Sequence, residues 1–202
     1  MRVRAVGDNA LLVEVDDLST VHRLAAALRA AALPGVVDVV PGYTTVLVTG
    51  DERLDLARLA GDLPGWVLPP PASVVGRLVE VPVSYDGEDL DEVARLTGLT
   101  VPEVVRRHTA PEYVVAFLGF SPGFPYLVGL DPSLQVPRRS TPRTSVPAGS
   151  VGLAGDQTGV YPAASPGGWQ LLGRTDAVLW EESRDPPALL APGDRLRFGV
   201  AS

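Results

Sequence analysis

Four arginines lie within one stretch of the sequence, residues 119–174, that is otherwise rich in glycine, proline and aromatic residues. Guanidinium groups donate paired hydrogen bonds to carboxylates and phosphates, and aromatic side chains can form an apolar wall beside such an anion. Flexible glycine and proline tracts lack aromatic residues, so fixed loops and short strands are predicted here. Loops of this kind usually present a site.

The positive charge of this stretch has two interpretations. Its four arginines face only two acidic residues, Asp131 and Asp156, although the whole chain has a net charge of −7. A basic island on an acidic protein favours a small anionic ligand or an acidic partner surface. Alternatively, the arginines pair with acidic residues elsewhere in the chain, and the sequence supports both interpretations equally.

Two motifs open the stretch. In residues 119–126, prolines and glycines fix a loop whose aromatic side chains form either one wall of a pocket or a tight corner of the core. In residues 137–144, arginines and hydroxyl groups offer donors for a carboxylate or phosphate, or for salt bridges to a partner subunit. The candidate binding residues of these motifs are Phe120, Phe124, Tyr126, Arg138, Arg139 and Arg143.

Two further motifs follow. In residues 155–162, polar side chains surround Asp156, which either acts on a ligand or caps a turn, the turn being favoured. In residues 165–175, a glycine pair either lets backbone N–H groups cradle an oxyanion or forms a hairpin turn. The candidate binding residues here are Gln157, Thr158, Tyr161, Gly167, Gly168, Trp169 and Arg174.

The residues that are missing exclude several kinds of chemistry. The chain has no cysteine and no lysine, and His22 and His108 are its two histidines. This excludes thiol nucleophiles, Schiff-base lysines, a biotinylated lysine and a phosphate loop that uses lysine. A metal site is not expected, because it would have to be built from carboxylates and two histidines that are far apart in the sequence. No catalytic residue can be assigned from the sequence.

Composition also limits the class of protein. With 46% hydrophobic and 20% charged residues, the chain can bury a core. No apolar run approaches the roughly 20 residues that span a bilayer, and the N-terminus does not have the pattern of a signal peptide. We therefore expect a cytoplasmic protein without membrane contact. The negative net charge disfavours binding to nucleic acid.

The N-terminal third is predicted to be a small α+β domain, residues 1–75. Alternating apolar residues predict two hairpins, each followed by an amphipathic helix, so the order is ββαββα. The two helices are expected on one face of an antiparallel sheet. The predicted strands are Arg2–Val6, Ala10–Val15, Val36–Val40 and Thr44–Val48; the predicted helices run from a cap at Ser19 or Thr20 to about Ala32, and over Glu52–Leu63.

A proline-rich connector, Pro64–Ser73, separates this domain from a second one, residues 76–202. Two short helices, broken at Gly98, are predicted between residues 90 and 108, and Thr100 and Glu103 form a capping box. A helical hairpin packed on a sheet is favoured over a DNA-binding helix-turn-helix, and His108 is interpreted as a partner of the helix dipole. Many short strands predict a barrel or sandwich; they include Leu78–Val83, Glu112–Phe120, Val151–Leu153, Gln170–Leu172, Ala177–Trp180 and Leu196–Val200.

The order of the motifs resembles a known family. The segments at residues 85–90, 119–127, 137–155, 157–175 and 192–198 are similar to the KipI-like family, also called allophanate hydrolase subunit 1 and the B subunit of 5-oxoprolinase (PxpB). Residues 7–15 and 33–48 resemble its N-terminal half, so the resemblance covers essentially the whole chain. The chain departs from the family's pattern at Thr44 and Asp156, which weakens a role for the hairpin tip and a catalytic role for Asp156.

The resemblance implies an α+β N-terminal domain followed by a mainly-β, cyclophilin-like barrel domain. It also implies a non-autonomous subunit of an ATP-dependent 5-oxoprolinase, which acts with a PxpC-like partner (allophanate hydrolase subunit 2) and a PxpA-like protein. ATP with Mg²⁺ is the implied cofactor, bound by this chain or elsewhere in the complex, and no group is attached covalently. The alternatives are an inhibitor of a sensor histidine kinase and a subunit that processes urea or allophanate.

For a 5-oxoprolinase, the residue chemistry suggests roles. Arg138, Arg139 and Arg143 would bind the carboxylate of the small anionic substrate or the phosphates of ATP. Phe120, Phe124 and Tyr126 would cover its ring. Gln157, or the backbone N–H groups around Gly167 and Gly168, would polarise the lactam carbonyl.

Overall fold

The structure is a computed structural model that describes residues 1–71 and 76–201. The chain divides into two compact units, Met1–Val75 and Gly76–Ser202. The predicted connector Pro64–Ser73 ends outside the described residues. Its first part is not a free linker, because Trp66 and Leu68 pack against the core of the first unit. Within the described residues, no helix could span a bilayer.

The first unit has the predicted ββαββα order. Strands β1 (Arg2–Val6), β2 (Ala10–Glu14), β3 (Val36–Pro41) and β4 (Thr45–Gly50) form an antiparallel sheet in the order β1-β2-β4-β3. Alternate residues of β2 and β4 point to one face, where they form a single apolar cluster with helices α1 (Leu18–Ala31) and α2 (Leu56–Asp62). The period-2 pattern thus fixes which face of the sheet is buried.

Both helices begin at aspartates rather than at the predicted positions. Asp17 caps α1 by accepting a 2.8 Å hydrogen bond from the backbone N–H of Thr20, so the predicted cap at Ser19 or Thr20 is wrong. Asp55 caps α2 in the same way, by accepting from Arg58 at 2.9 Å. Helix α2 is therefore shorter than predicted, because residues 51–54 form a turn in which Asp51 also binds Arg53.

The second unit is built on a seven-stranded mixed sheet, counted within the described part of the chain. Its strands are β5 (Leu78–Val83), β6 (Tyr113–Leu118), β7 (Pro125–Val128), β9 (Ser150–Ala154), β10 (Gln157–Val160), β12 (Gln170–Arg174) and β13 (Arg195–Val200). They lie in the order β12-β9-β10-β7-β6-β13-β5. The closing contact is a pair of hydrogen bonds, of 2.8 and 2.9 Å, between Ser84 and Arg174. They join the end of β5 to β12, so the sheet closes into the predicted barrel.

Two short strands lie outside this sheet. Strand β8 (Arg143–Val146) pairs with β11 (Ser165–Gly167), and Arg143 stands opposite Gly167 in the register. The predicted strand Ala177–Trp180 is wrong, because Trp180 makes only an isolated bridge with Ala188. Segments of the glycine-rich and proline-rich stretch thus become strands, as the turn-rich pattern predicts.

The helical pair α3 (Leu90–Thr97) and α4 (Val101–Thr109) packs against the barrel, as predicted. Gly98 ends α3 in a left-handed conformation, and Thr100 caps α4. The capping box is incomplete, because the carboxylate of Glu103 accepts hydrogen bonds from Arg106 and Arg107. These pairs offset the positive charge of α4, in keeping with a hairpin that supports the barrel.

Candidate functional site

An aromatic cluster lies on the outer face of the barrel. Leu153 and Leu172 join the barrel core, whereas their neighbours Ala154 and Leu171 join a separate cluster with Phe124, Tyr161 and Trp169. Because successive residues of a strand point to opposite faces, the two clusters lie on opposite sides of the same sheet. The site is therefore built on the wall of the barrel rather than inside it.

The rings of this cluster meet edge to face. Phe124 lies 5.1 Å from Tyr161 and 5.5 Å from Trp169 between ring centroids, at interplanar angles of 81° and 84°. Gly159 of β10 makes room for them, because a Cβ there would lie 3.2 Å from both Phe124 and Trp169. Such mutually packed rings form a rigid apolar surface.

A small cavity opens over these rings. It has a volume of about 70 Å³, several times the space that one water molecule needs. Eight of the thirteen predicted binding residues line it, together with Pro166: Phe120, Phe124, Tyr126, Arg138, Tyr161, Gly167, Gly168 and Trp169. The structure therefore brings together residues from all four motifs. We call this cavity the aromatic pocket.

Tyr161 keeps its proton at neutral pH. Burial raises the pKa of its phenol, while a hydrogen bond with the backbone of Trp169 and the nearby charge of Arg138 oppose this rise. The phenol lies close to Gly167, where an added Cβ would come within 2.4 Å of its oxygen. A glycine at position 167 thus preserves both the position of Tyr161 and the opening of the pocket.

Arg138 is the cation at the mouth of the pocket. It is exposed, and it makes no ion pair or side-chain hydrogen bond within residues 1–71 and 76–201. Its backbone is nevertheless fixed on both sides. Gln170 Nε2 donates to the carbonyl of Pro137 at 3.2 Å, and the N–H of Arg139 donates to the carbonyl of Gly168 at 2.8 Å. The side chain of Arg138 therefore extends from a fixed backbone position, and its guanidinium group is available to an anion.

The other two arginines of this motif hold a buried carboxylate. Asp89, whose side chain is 3% exposed, accepts hydrogen bonds from Arg139 and, at 2.9 Å through both oxygens, from Arg143. The backbone N–H of Leu171 adds a third donor at 2.8 Å. This shows that intramolecular pairing, one of the two interpretations of the basic island, applies to Arg139 and Arg143. Asp89 joins three segments that surround the pocket.

The position of Asp89 follows from the closure of the barrel. Residues 84–89 continue beyond β5 along the edge of β12, and the N–H groups of Gly87 and Asp89 each donate to it at 3.1 Å. A Cβ on Gly87 would lie 2.3 Å from the carbonyl oxygen of Leu171, so only glycine allows this approach. Sequence reasoning missed Asp89 as a site residue, although it lies in a motif, residues 85–90, that carries the family resemblance.

A second, open groove adjoins the pocket and shares Arg138 with it. Its volume is about 580 Å³, and its lining combines Glu88, Asp89 and Glu92, at the start of α3, with the hydroxyls of Ser140 and Thr141. Gln170 also lines it and is 5% exposed, and its Oε1 has no hydrogen-bond partner among the described residues. Arg139 and Thr141 therefore face this groove rather than the aromatic pocket.

Besides Arg139 and Arg143, the predicted binding residues Gln157, Thr158 and Arg174 lie away from the pocket, as does Asp156. Gln157 and Asp156 are at the tip of the β9–β10 hairpin, and Asp156 is exposed. Arg174 is exposed and pairs with Asp86 at 3.0 Å. Thr158 is fully buried under the helical pair, where its hydroxyl bonds to His108.

His108 is a buried, neutral residue. Its Nδ1 lies 2.7 Å from the Tyr85 hydroxyl and its Nε2 lies 2.9 Å from the Thr158 hydroxyl. Because Thr158 donates to the carbonyl of Gly152, Nε2 carries the proton and Nδ1 accepts from Tyr85. Burial lowers the pKa of His108 to about 3. The interpretation of His108 as a cationic partner of the helix dipole is therefore wrong.

The described residues do not fit a nucleotide with its metal ion. No group of three or more potential metal ligands occurs within residues 1–71 and 76–201. The sequence has no lysine, and Arg139 and Arg143 are occupied by Asp89. Arg138 alone would have to neutralise a triphosphate, which carries several negative charges. Within the lining of the aromatic pocket, Arg138 is the single cationic side chain.

The fold and the site define a two-unit protein with an aromatic pocket, bordered by Arg138, on the wall of a barrel. A family model described as carboxyltransferase domain, subdomain C and D, matches residues 1–190. The chain belongs to this family. Three relatives named as the B subunit of 5-oxoprolinase confirm the resemblance; the one from Escherichia coli O157:H7 is 43% identical over 98% of this chain and 94% of its own.

Solved structures agree with this assignment. The protein TTHA0988 superposes with a TM-score of 0.85 at 42% identity, and the match covers 96% of this chain but only 40% of that longer chain. The urea amidolyase of Kluyveromyces lactis superposes with a TM-score of 0.75 over 99% of this chain and 15% of that enzyme. At 22% identity, this second likeness shows the fold alone.

Proposed function

We propose that this chain is the B subunit of an ATP-dependent 5-oxoprolinase, which converts 5-oxoproline, ATP and water into glutamate, ADP and phosphate. The near full-length similarity to relatives that carry the name of this subunit supports the activity. The location of the substrate site is inferred from Arg138, which lies at the mouth of the aromatic pocket and has no side-chain partner among the described residues. 5-Oxoproline has the matching chemistry, because it combines one carboxylate with a compact, mostly apolar ring.

The pocket assigns a role to each side of this substrate. Arg138 binds the carboxylate, since a charge-assisted hydrogen bond is stronger than a neutral one. Phe124 and Trp169 support the ring on their fixed surface. The protonated phenol of Tyr161 donates to the lactam carbonyl, which draws electron density away from the carbonyl carbon and favours its attack. These contacts bind and polarise the amide without requiring a nucleophile from this chain.

The nucleotide is held elsewhere in the complex. The described residues offer neither a phosphate loop with lysine nor a group of metal ligands. We therefore propose that ATP and Mg²⁺ bind a partner, a PxpC-like or PxpA-like protein, and that the isolated chain is inactive. The match to TTHA0988 covers 40% of that longer chain, which leaves room there for a further domain beside the matched part and supports a partner for this chain.

Processing of urea or allophanate is the second candidate. The urea amidolyase of Saccharomyces cerevisiae is 32% identical over 54% of this chain, and the likeness covers 6% of that enzyme. The inhibition of a sensor kinase stays an untested prediction. Urea has no carboxylate and would leave Arg138 without a partner, so the open guanidinium favours 5-oxoproline over urea. Allophanate has a carboxylate but lacks the apolar ring that the aromatic residues of the pocket would support.

Reconstitution tests the proposal. This chain is mixed with the PxpC-like and PxpA-like proteins of its own genome, 5-oxoproline, ATP and Mg²⁺. Glutamate release is measured with all three proteins and with each one omitted in turn. We expect glutamate release that requires all three proteins, and no ADP release when urea replaces 5-oxoproline. A stable complex that releases no glutamate, or full activity without this chain, would contradict the assignment.

A further inference from the structure

Phe120 has a backbone conformation that residues with a side chain avoid. Its φ is +66°, and among the described residues the only other non-glycine residue with positive φ is Ala32. Ala32 ends helix α1, where a left-handed residue is common. Phe120 ends no helix, so its conformation is not explained in this way. Its Cβ makes this region of φ unfavourable, whereas glycine would adopt it freely.

Hydrogen bonds on both sides impose this conformation. The N–H of Ser121 donates to the carbonyl of Gly119 at 2.7 Å, which closes a one-residue turn around Phe120. Gly119 and Phe124 complete the loop, since the N–H of Gly119 donates to the carbonyl of Phe124 at 3.1 Å. The sequence places glycine at positions 119 and 123 of the same loop, but a phenylalanine at the position where glycine would relieve the strain.

Burial of the ring does not offset this strain. Phe120 is 60% exposed, unlike the ring of Phe124, which is 2% exposed. Its ring meets Phe124 edge to face at 5.5 Å and Tyr161 at 6.5 Å, and it forms part of the lining of the aromatic pocket. A strained residue with an exposed aromatic ring beside a binding cavity is typical of functional sites rather than of packing.

We infer that Phe120 is a specificity-determining residue that completes the pocket over the bound substrate. The strained turn holds its ring at the mouth, where it packs against the methylene groups of the lactam ring while Arg138 holds the carboxylate. In the open-chain product the neutral lactam has become a second carboxylate and an ammonium group, and the methylene groups are no longer held in a ring, so Phe120 packs less well against it and favours its release. This inference rests on the proposed 5-oxoprolinase function and adds the residue that selects the cyclic substrate.

Two substitutions of Phe120 separate the effect of losing the aromatic ring from the effect of relieving the backbone strain. Both F120A and F120G remove the ring, but only F120G relieves the backbone. In thermal unfolding of the full chain we expect F120G to melt at a higher temperature than F120A. In the reconstituted enzyme we expect both to raise the KM for 5-oxoproline roughly tenfold, the lower end of what one apolar contact discriminates, with a smaller change in kcat. V200A, at another exposed apolar residue, is the control and should leave KM unchanged.

The outcomes distinguish this inference from the proposed function. If the wild-type complex turns over 5-oxoproline but F120A keeps its KM, the inference is wrong and the function stands. F120A could instead weaken assembly of the complex while the KM for 5-oxoproline, measured with the partner subunits in saturating excess, stays unchanged. Phe120 would then contact a partner protein, and the inference would again be wrong. If F120G melts no higher than F120A, the strain is absent. If the wild-type complex has no activity, the function fails and this inference fails with it.

Discussion

Arg143 binds Asp89 through two parallel hydrogen bonds, each 2.9 Å long, across 54 residues of sequence. Burial of Asp89 acts to raise its pKa, but the hydrogen bonds from Arg143 and Leu171 outweigh that effect and hold the pKa below its usual range. Asp89 therefore remains ionised at neutral pH. The pair ties strand β8, one side of the pocket region, to the edge where the barrel closes.

Removal of this carboxylate should destabilise the protein strongly. In D89N, Arg139 loses its counter-charge and Arg143 keeps only the exposed carboxylate of Glu88, which it binds at 2.9 Å. Breaking a buried ion pair typically costs about 3–5 kcal/mol. We expect a loss of that order in the free energy of unfolding, measured by urea denaturation. The matched control is D86N, whose partner Arg174 is exposed and whose pair is worth at most about 1 kcal/mol. Equal losses of unfolding free energy in D89N and D86N would show that the buried contacts of Asp89 do not stabilise the fold more than an exposed ion pair does.

The stability of the protein should depend on pH through His108. Its pKa is about 3 in the folded state against an ordinary value of 6.5, so between these values the unfolded chain binds a proton that the folded chain does not. The free energy of unfolding should therefore fall as the pH is lowered from 6.5 towards 3, by up to about 1.4 kcal/mol per unit. Urea denaturation over this range measures the slope.

The two histidines of the chain provide a matched pair of variants for this prediction. H108Q lacks the titrating ring, so its stability should change less between pH 6.5 and pH 4 than that of the wild type. H22Q, in helix α1 of the other unit, should keep the slope of the wild type. A slope that survives in H108Q would show that another group causes the loss.

The sequence predicts the architecture well because its signals are local. Alternation and turn residues place β5 at Leu78–Val83, and Gly98 divides α3 from α4. Helix α2 starts later than predicted because the side chain of Asp51 organises a turn that competes with the helix. The segment Ala177–Trp180 has strand-forming residues but only one bridging partner, and pairing is not visible in local sequence.

The candidate site could be predicted only in part. The sequence identifies the aromatic residues and the arginine cluster, but it cannot rank Arg138 above Arg139 and Arg143. That ranking depends on Asp89, which is about 50 residues away and reaches the arginines only after the barrel closes. In the same way, Thr158 belongs to a promising motif but points into the core, because alternate residues of β10 face opposite sides.

The most direct test of the 5-oxoproline site is the KM of the reconstituted enzyme carrying R138A. Arg138 has no partner within the described residues, so its loss should leave the melting temperature nearly unchanged. Loss of a charge-assisted hydrogen bond, worth about 1.5–3 kcal/mol, should raise the KM for 5-oxoproline roughly 10- to 150-fold. R174A, which removes the same charge from an exposed pair outside the pocket, should keep the wild-type KM. A wild-type KM in R138A, or an equal rise in both variants, would contradict a carboxylate site at Arg138.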